Sequence, residues 1–188
     1  FTGNTEINHE WYRSKALKTD FNVYAKAEYL LAANLHAWAD LQYRRIYYSI
    51  DGVDDDQRDI TQQHTFNFFN PKAGLSFDVN TNQNMYFSLS VANREPNRDN
   101  FVDADPSKPA PTPERLYDAE AGYTYRNSHV SVNTNVYYMY YHNQLVLTGA
   151  INDVGAPVMI NVPVSYRAGI EISARVLLSR NLKWEPAI

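Results

Sequence analysis

Along most of this chain apolar and polar side chains alternate with a period of two, as strands do when one face is wetted and the other is not. In FNVYAKAEYLL, Phe21, Val23, Ala25, Ala27, Tyr29 and Leu31 share one face, against Asn22, Tyr24, Lys26 and Glu28 on the other. LHAWADLQYR repeats the pattern, with Leu35, Ala37, Ala39, Leu41 and Tyr43 opposite His36, Trp38, Asp40, Gln42 and Arg44. KAGLSFD, MYFSLSV, YDAEAGYTY, VSVNTNVYYMYY and YRAGIEISARV alternate in the same way, and an eighth run begins near Leu182. No segment has a comparable helical period. The pattern predicts an all-β chain, an antiparallel meander of about eight strands.

The connections sort themselves. Short links (Ala-Ala-Asn at 32–34, then DVNTNQN, RNSH and SRN) alternate with long ones at residues 49–65, 94–113 and 148–163. With antiparallel neighbours, every short turn falls on one edge of the sheet and every long loop on the other. A transmembrane barrel of the bacterial outer membrane has this asymmetry, with short periplasmic turns and long extracellular loops. A soluble all-β binding module, for carbohydrate or another ligand, with its recognition loops at one end, would also have it.

Composition separates these readings in part. Fifteen Tyr, eight Phe and three Trp sit in a chain whose mean hydropathy is -0.51. No apolar stretch approaches the roughly 20 residues of a membrane helix, which leaves β-spans open because they are polar at every second residue. The apolar face is built of Ala, Tyr and Val rather than the Leu, Ile and Phe that fill dry cores. Tyr29, Tyr43, Tyr123, Tyr125, Tyr138, Tyr140 and Tyr166 gather near strand ends, as in interfacial aromatic girdles. The expectation is therefore lipid against the apolar face and a wet lumen against Lys26, Glu28, Asp40, Arg44, Lys72, Asp118, Glu120, Arg167, Glu171 and Arg175. Arg45 interrupts a run that otherwise continues the second strand. An Arg facing lipid costs about 2–4 kcal/mol at the bilayer midplane and little at the interface, so the strand should have left the hydrocarbon by Arg44–Arg45. A net charge of -4 gives no reason to expect a nucleic-acid partner.

Several stretches resemble the barrel of TonB-dependent outer-membrane receptors. FNPKAGLSFD holds an Asn-Pro-Lys-x-Gly-Leu strand, and MYFSLSVANREPNRDNF a Tyr-x-Ser strand ending on Arg-x-Pro. PERLYDAEAGYTYRN and YRAGIEISARV follow in the family's order. The resemblance implies uptake of a scarce small-molecule nutrient (a metal chelate, vitamin or glycan) across the outer membrane of a Gram-negative cell. It also implies a complete barrel of about 22 strands closed by a plug, through which the TonB complex would act. Nothing here resembles the plug or a TonB-contacting box. Residues 1–188 therefore read as a partial barrel, an interior piece incomplete at both ends, with the plug, the remaining barrel and outer-membrane lipid as its partners. A self-contained eight-stranded barrel is the third reading, and the interrupted eighth strand weighs against it.

Candidate chemistry is sparse. There is no Gly-rich phosphate loop, no G-x-S-x-G and no HExxH, so neither enzymatic activity nor a cofactor is expected. DGVDDDQRD (residues 51–59) lacks the mid-loop Gly and terminal Glu of a calcium loop and reads as a solvated loop. The histidines at 9, 36, 64, 129 and 142 have no metal-like spacing. Asp118 and Glu120 share a face, as lumen charges meeting a plug or an arginine would. Arg94, Glu95, Arg98 and Asp99 follow a completed strand crossing and should stand in water or at the lumen mouth. There they either contact the nutrient or lock the loop through ion pairs.

Overall fold

A computed structural model describes residues 9–55, 57–104, 108–151, 155 and 157–188. Eight strands form one sheet in chain order: β1 (Ser14–Ala32), β2 (Leu35–Gly52), β3 (Gln62–Asn80), β4 (Gln83–Arg94), β5 (Glu114–Arg126), β6 (Val130–Ile151), β7 (Pro157–Ser179) and β8 (Leu182–Trp184). Every neighbouring pair is antiparallel, and β1 and β8 are open edges. One helix, α1 (Arg98–Val102), interrupts the meander between β4 and β5.

The short links are tight turns at 33–34, 81–82, 127–129 and 180–181, all on one edge. Two of the three long connections are shorter than the sequence suggested, the one between β4 and β5 keeping its length. β2 runs on to Gly52 and β3 starts at Gln62, while β6 and β7 reach Ile151 and Pro157. At 18–23 residues, β1, β2, β3, β6 and β7 are about twice the 9–11 residues that cross a bilayer. What read as loop is largely strand continued past the apolar band, held by cross-strand pairing as far out as Ser14–Gly52.

The register places the alternating residues as the sequence predicts. Ala27, Ala39, Ala73, Leu89, Ala119, Tyr138 and Ala168 are successive cross-strand partners on the apolar face. Among the described residues nothing packs on that face: Leu89 is 53% exposed, Ile170 58% and Tyr166 69%. The buried side chains lie instead on the opposite face at the loop edge, where Ile46, Tyr48 and Ile50 are covered. Tyr48, Ile50, Ile60 and Phe101 form a small core flanked by Phe66 and Val102.

Candidate functional site

Midway along the strands the charged face carries a row of alternating sign. Lys26, Asp40 and Lys72 are cross-strand partners, Ser90 follows on β4, and Asp118, Met139 and Arg167 complete the row. Such neighbours are close enough for opposite charges to attract. Lys26 also pairs with Glu28 along its own strand at 2.8 Å. Lys72 and Arg167 sit over aromatic faces, 5.4 Å from the Trp38 ring centre and 5.3 Å from that of Tyr141. Arg175 lies near the turn edge and pairs with Glu185.

Trp38 and two further aromatics on this face explain the glycines of the recurring motifs. Trp38 is opposite Gly74, Tyr86 opposite Gly122 and Tyr137 opposite Gly169. A Cβ on Gly122 would stand 2.0 Å from Tyr86 Cε1, and one on Gly169 2.5 Å from the Tyr137 hydroxyl. Each ring thus lies across a neighbouring strand where only a glycine leaves room. The rings floor the charged face, so ionic groups stand over aromatic surface rather than bare backbone.

Around Tyr86 the balance of charge fails. Its hydroxyl donates to Asn135 Oδ1 at 2.9 Å, and Glu120, Asp118 and Glu171 are the acids around it. Neither Asp118, Glu120 nor Glu171 has a basic partner among the described residues. Asp118 Oδ1 is buried with no hydrogen-bond partner among the described residues. A buried carboxylate oxygen without a donor is costly and demands a partner.

Nearer the loop edge the same face is saturated. Arg44 pairs with Asp20 and with Glu95, the latter at 3.0 Å, and Lys18 Nζ reaches Glu95 Oε1 at 2.6 Å. The Glu95 side chain is only 9% exposed. Burial alone would push its carboxyl up, but the Lys18 ammonium, its own backbone amide and the Arg44 guanidinium outweigh this and hold it below the usual carboxylate range. Of the two roles open to Glu95, nutrient contact or locking the loop by ion pairs, these pairs match the second, and through them the segment after β4 docks onto β1 and β2. Arg94 pairs with Glu114 at 3.0 Å, Arg98 donates to Ser14 Oγ at 3.1 Å, and Asp99 is exposed beside Arg98 at 3.5 Å.

The segment after Glu95 is built by local chemistry. Asn97 caps α1 by accepting from Asn100 N, while Asn100 Oδ1 accepts from Asn97 N, a reciprocal capping box. α1 then presents Phe101 to Tyr48 and stacks it on His64, 4.0 Å between ring centres. The segment also reaches the far strands, where Asn161 and the Thr112 backbone exchange hydrogen bonds of 2.8 and 2.9 Å. Residues 94–104 and 108–113 thus form a strap that touches the charged face at both β1 and β7.

In the acidic stretch 51–59 the described acids Asp51, Asp55 and Asp59 are exposed, as a solvated loop requires, and Asp54 alone is buried. Asp54 is 5% exposed and accepts from the Arg58 backbone amide and guanidinium, both at 2.8 Å; Asp56 lies outside the described residues. Among the described residues no three His, Asp or Glu are placed to hold a metal. Sequence reasoning missed Lys18, Asp20, Asn97, Phe101 and Glu114. Only the capping pattern Asn-x-x-Asn before an apolar residue offered a local signal.

The chain matches the TonB dependent receptor-like, beta-barrel family over residues 2–185. No curated protein sequence matches it. Its fold is similar to the FrpB iron transporter from Neisseria meningitidis (F3-3 variant), with 18% identity and a TM-score of 0.65 over 89% of this chain and 25% of that one. It is similar to the copper transporter OprC at 12% identity and a TM-score of 0.76, over 92% of this chain and 28% of that one. The ferric yersiniabactin uptake receptor FyuA from Yersinia pestis gives 10% identity and a TM-score of 0.67, over 94% and 27%. The chain spans about a quarter of the length of these solved receptors. The sorted turns, the bare apolar face and the family match over nearly the whole chain lead to one conclusion: it belongs to the TonB-dependent receptor β-barrel family of the outer membrane.

Proposed function

We propose that this segment is part of the wall of a receptor that takes up a scarce nutrient, with its charged face lining the lumen and its apolar face meeting lipid. The observation that carries the reading is the acidic group Asp118, Glu120 and Glu171, in which Asp118 Oδ1 is buried without a donor among the described residues. A plug presenting cationic side chains to β5 and β7 would satisfy it, and the TonB complex would act through that plug. The nutrient is proposed to be a metal chelate, because the solved receptors of this fold named above are an iron transporter, a copper transporter and a ferric yersiniabactin uptake receptor. Contact with it falls to Arg98 and the exposed Asp99, while Arg94 and Glu95 hold the strap that carries them.

The test is the double variant Asp118→Asn/Glu120→Gln in the intact receptor. Losing charge-assisted bonds of about 1.5–3 kcal/mol should speed amide exchange in the plug and lower ferric-chelate uptake by iron-starved cells roughly tenfold or more. Nutrient binding at the cell surface should persist. Unchanged plug protection together with unchanged uptake would sink the proposal.

A further inference from the structure

The apolar face is not a uniform wall. A groove of about 450 Å³ runs across it from β2 to β6, floored by Ala39, Ala73 and Ala119 and walled by Leu41, Tyr117 and Tyr138. Its origin is local. The β3–β4 ladder stops at Lys72–Ser90, just before Pro71, which has no amide to donate. Beyond it a side chain replaces the ladder, and Asn70 Oδ1 accepts the Asn93 amide at 3.1 Å. The two strands part there, and the small alanines leave the dent unfilled.

Above this groove, on the same face and toward the loop edge, stand two arginines. Arg115 is one same-face step beyond Tyr117; its Nε donates to Asn93 Oδ1 at 2.9 Å and its Nη1 to the Tyr117 hydroxyl at 3.4 Å. Arg45 is one step beyond Tyr43, with Phe21 and Asn67 as cross-strand partners. Both are exposed, and neither has an acidic partner among the described residues. His142 is opposite Arg115 and also exposed. Exposed cations just beyond a tyrosine band lie at the depth of lipid phosphates.

We infer that this face holds a specific anionic lipid of the outer leaflet, its phosphates on Arg45 and Arg115 and its acyl chains in the groove. The width of the site sets the class. Five strands span roughly 19 Å at the usual strand spacing, far wider than one acyl chain, and two separated cations suit two phosphates. The ligand is therefore a multiply acylated lipid with more than one phosphate. The inference rests on the outward reading of the apolar face proposed above.

The experiment uses the intact receptor, purified in detergent and checked for a folded barrel, titrated with lipid A (a multiply acylated disaccharide bisphosphate) or with phosphatidylglycerol. Native mass spectrometry counts the bound lipid. The wild type should prefer lipid A. Arg45→Gln/Arg115→Gln should weaken that binding by about tenfold, and Ala119→Phe, which fills the groove without touching the cations, should weaken it too. Equal binding of the two lipids, or lipid A binding unchanged in the arginine variant, overturns the site. A nitroxide at Ile170→Cys, on the same face outside the groove, separates the two readings. If oxygen relaxes it more than an aqueous nickel complex does, the face meets lipid and a failed titration counts against the site alone. The reverse result removes the outward reading and the site together.

Discussion

The loop-edge end of this sheet and its middle are made from the same strands yet satisfied in opposite ways. At the loop edge the chain supplies its own cover: Phe101 closes on Tyr48, Ile50 and Ile60, and Glu95 neutralises Arg44 and Lys18. In the middle it leaves the apolar face bare on one side and, among the described residues, the acids Asp118, Glu120 and Glu171 without cations on the other. A region that closes on itself is written for shape. A region open on both faces is written for partners, here an oily medium on one side and a cationic surface on the other.

The sharpest way to break that contrast is to open the self-sufficient end. Phe101→Ala removes a ring buried to 7% exposure from a core of few members, where Phe→Ala typically costs about 3–5 kcal/mol. The cost should fall on docking of the strap, because the strands beneath remain paired. Hydrogen exchange on the intact receptor should show amides of α1 and its flanks losing protection while those of β5 and β6 keep theirs. Equal loss in both places would mean the strap and the sheet form one cooperative unit and the division is wrong.

The second test strikes the open middle. Ala121 lies between Phe87 and Val136 on the apolar face, and Thr124 between Asn84 and Asn133 on the charged one. Ala121→Arg should cost about 2–4 kcal/mol of folded barrel if that face meets hydrocarbon, whereas Thr124→Arg should be tolerated. Folded fractions in lipid vesicles across a urea series measure both. Equal tolerance would refute the assignment of the two faces.

These two sites also show what the sequence could disclose. The facing of Ala121 and Thr124 was legible because a period of two sorts side chains by parity, and parity survives wherever the ladder is unbroken. The list of charged-face residues was legible for the same reason. Strand length was not: Ile46, Tyr48 and Ile50 are buried on the parity that is polar lower down, and Tyr48 and Ile50 owe their cover to a core shared with Ile60 and Phe101. Nor was the lock at Glu95, whose partners Arg44 and Lys18 are 51 and 77 positions away. Alternation reports which medium a face meets, and no local pattern reports a loop folding back over it.

The smallest expected effect is one of pH, and it divides the self-sufficient end further. His64 lies on β3 opposite Tyr48, beyond the apolar band, and its ring is sandwiched between Phe66 and Phe101. Burial holds its pKa below the ordinary 6.5, so the docked strap favours the neutral ring. A depressed pKa gives stability that is fully present above 6.5 and is lost as pH falls through the lower folded value. Glu95 is depressed too, but from 4.5, so its contribution begins to fade only at more acid pH. Between about pH 6.5 and 4.5 the histidine alone among these two should loosen the strap. Exchange rates for α1 amides, corrected for intrinsic pH dependence, should therefore rise through that window in the wild type and stay flat in His64→Gln. Below it both proteins should loosen together as Glu95 protonates. A flat wild-type profile down to pH 4.5 would mean that the His64–Phe101 stack does not hold the strap, leaving the ion pairs at Glu95 as its anchor.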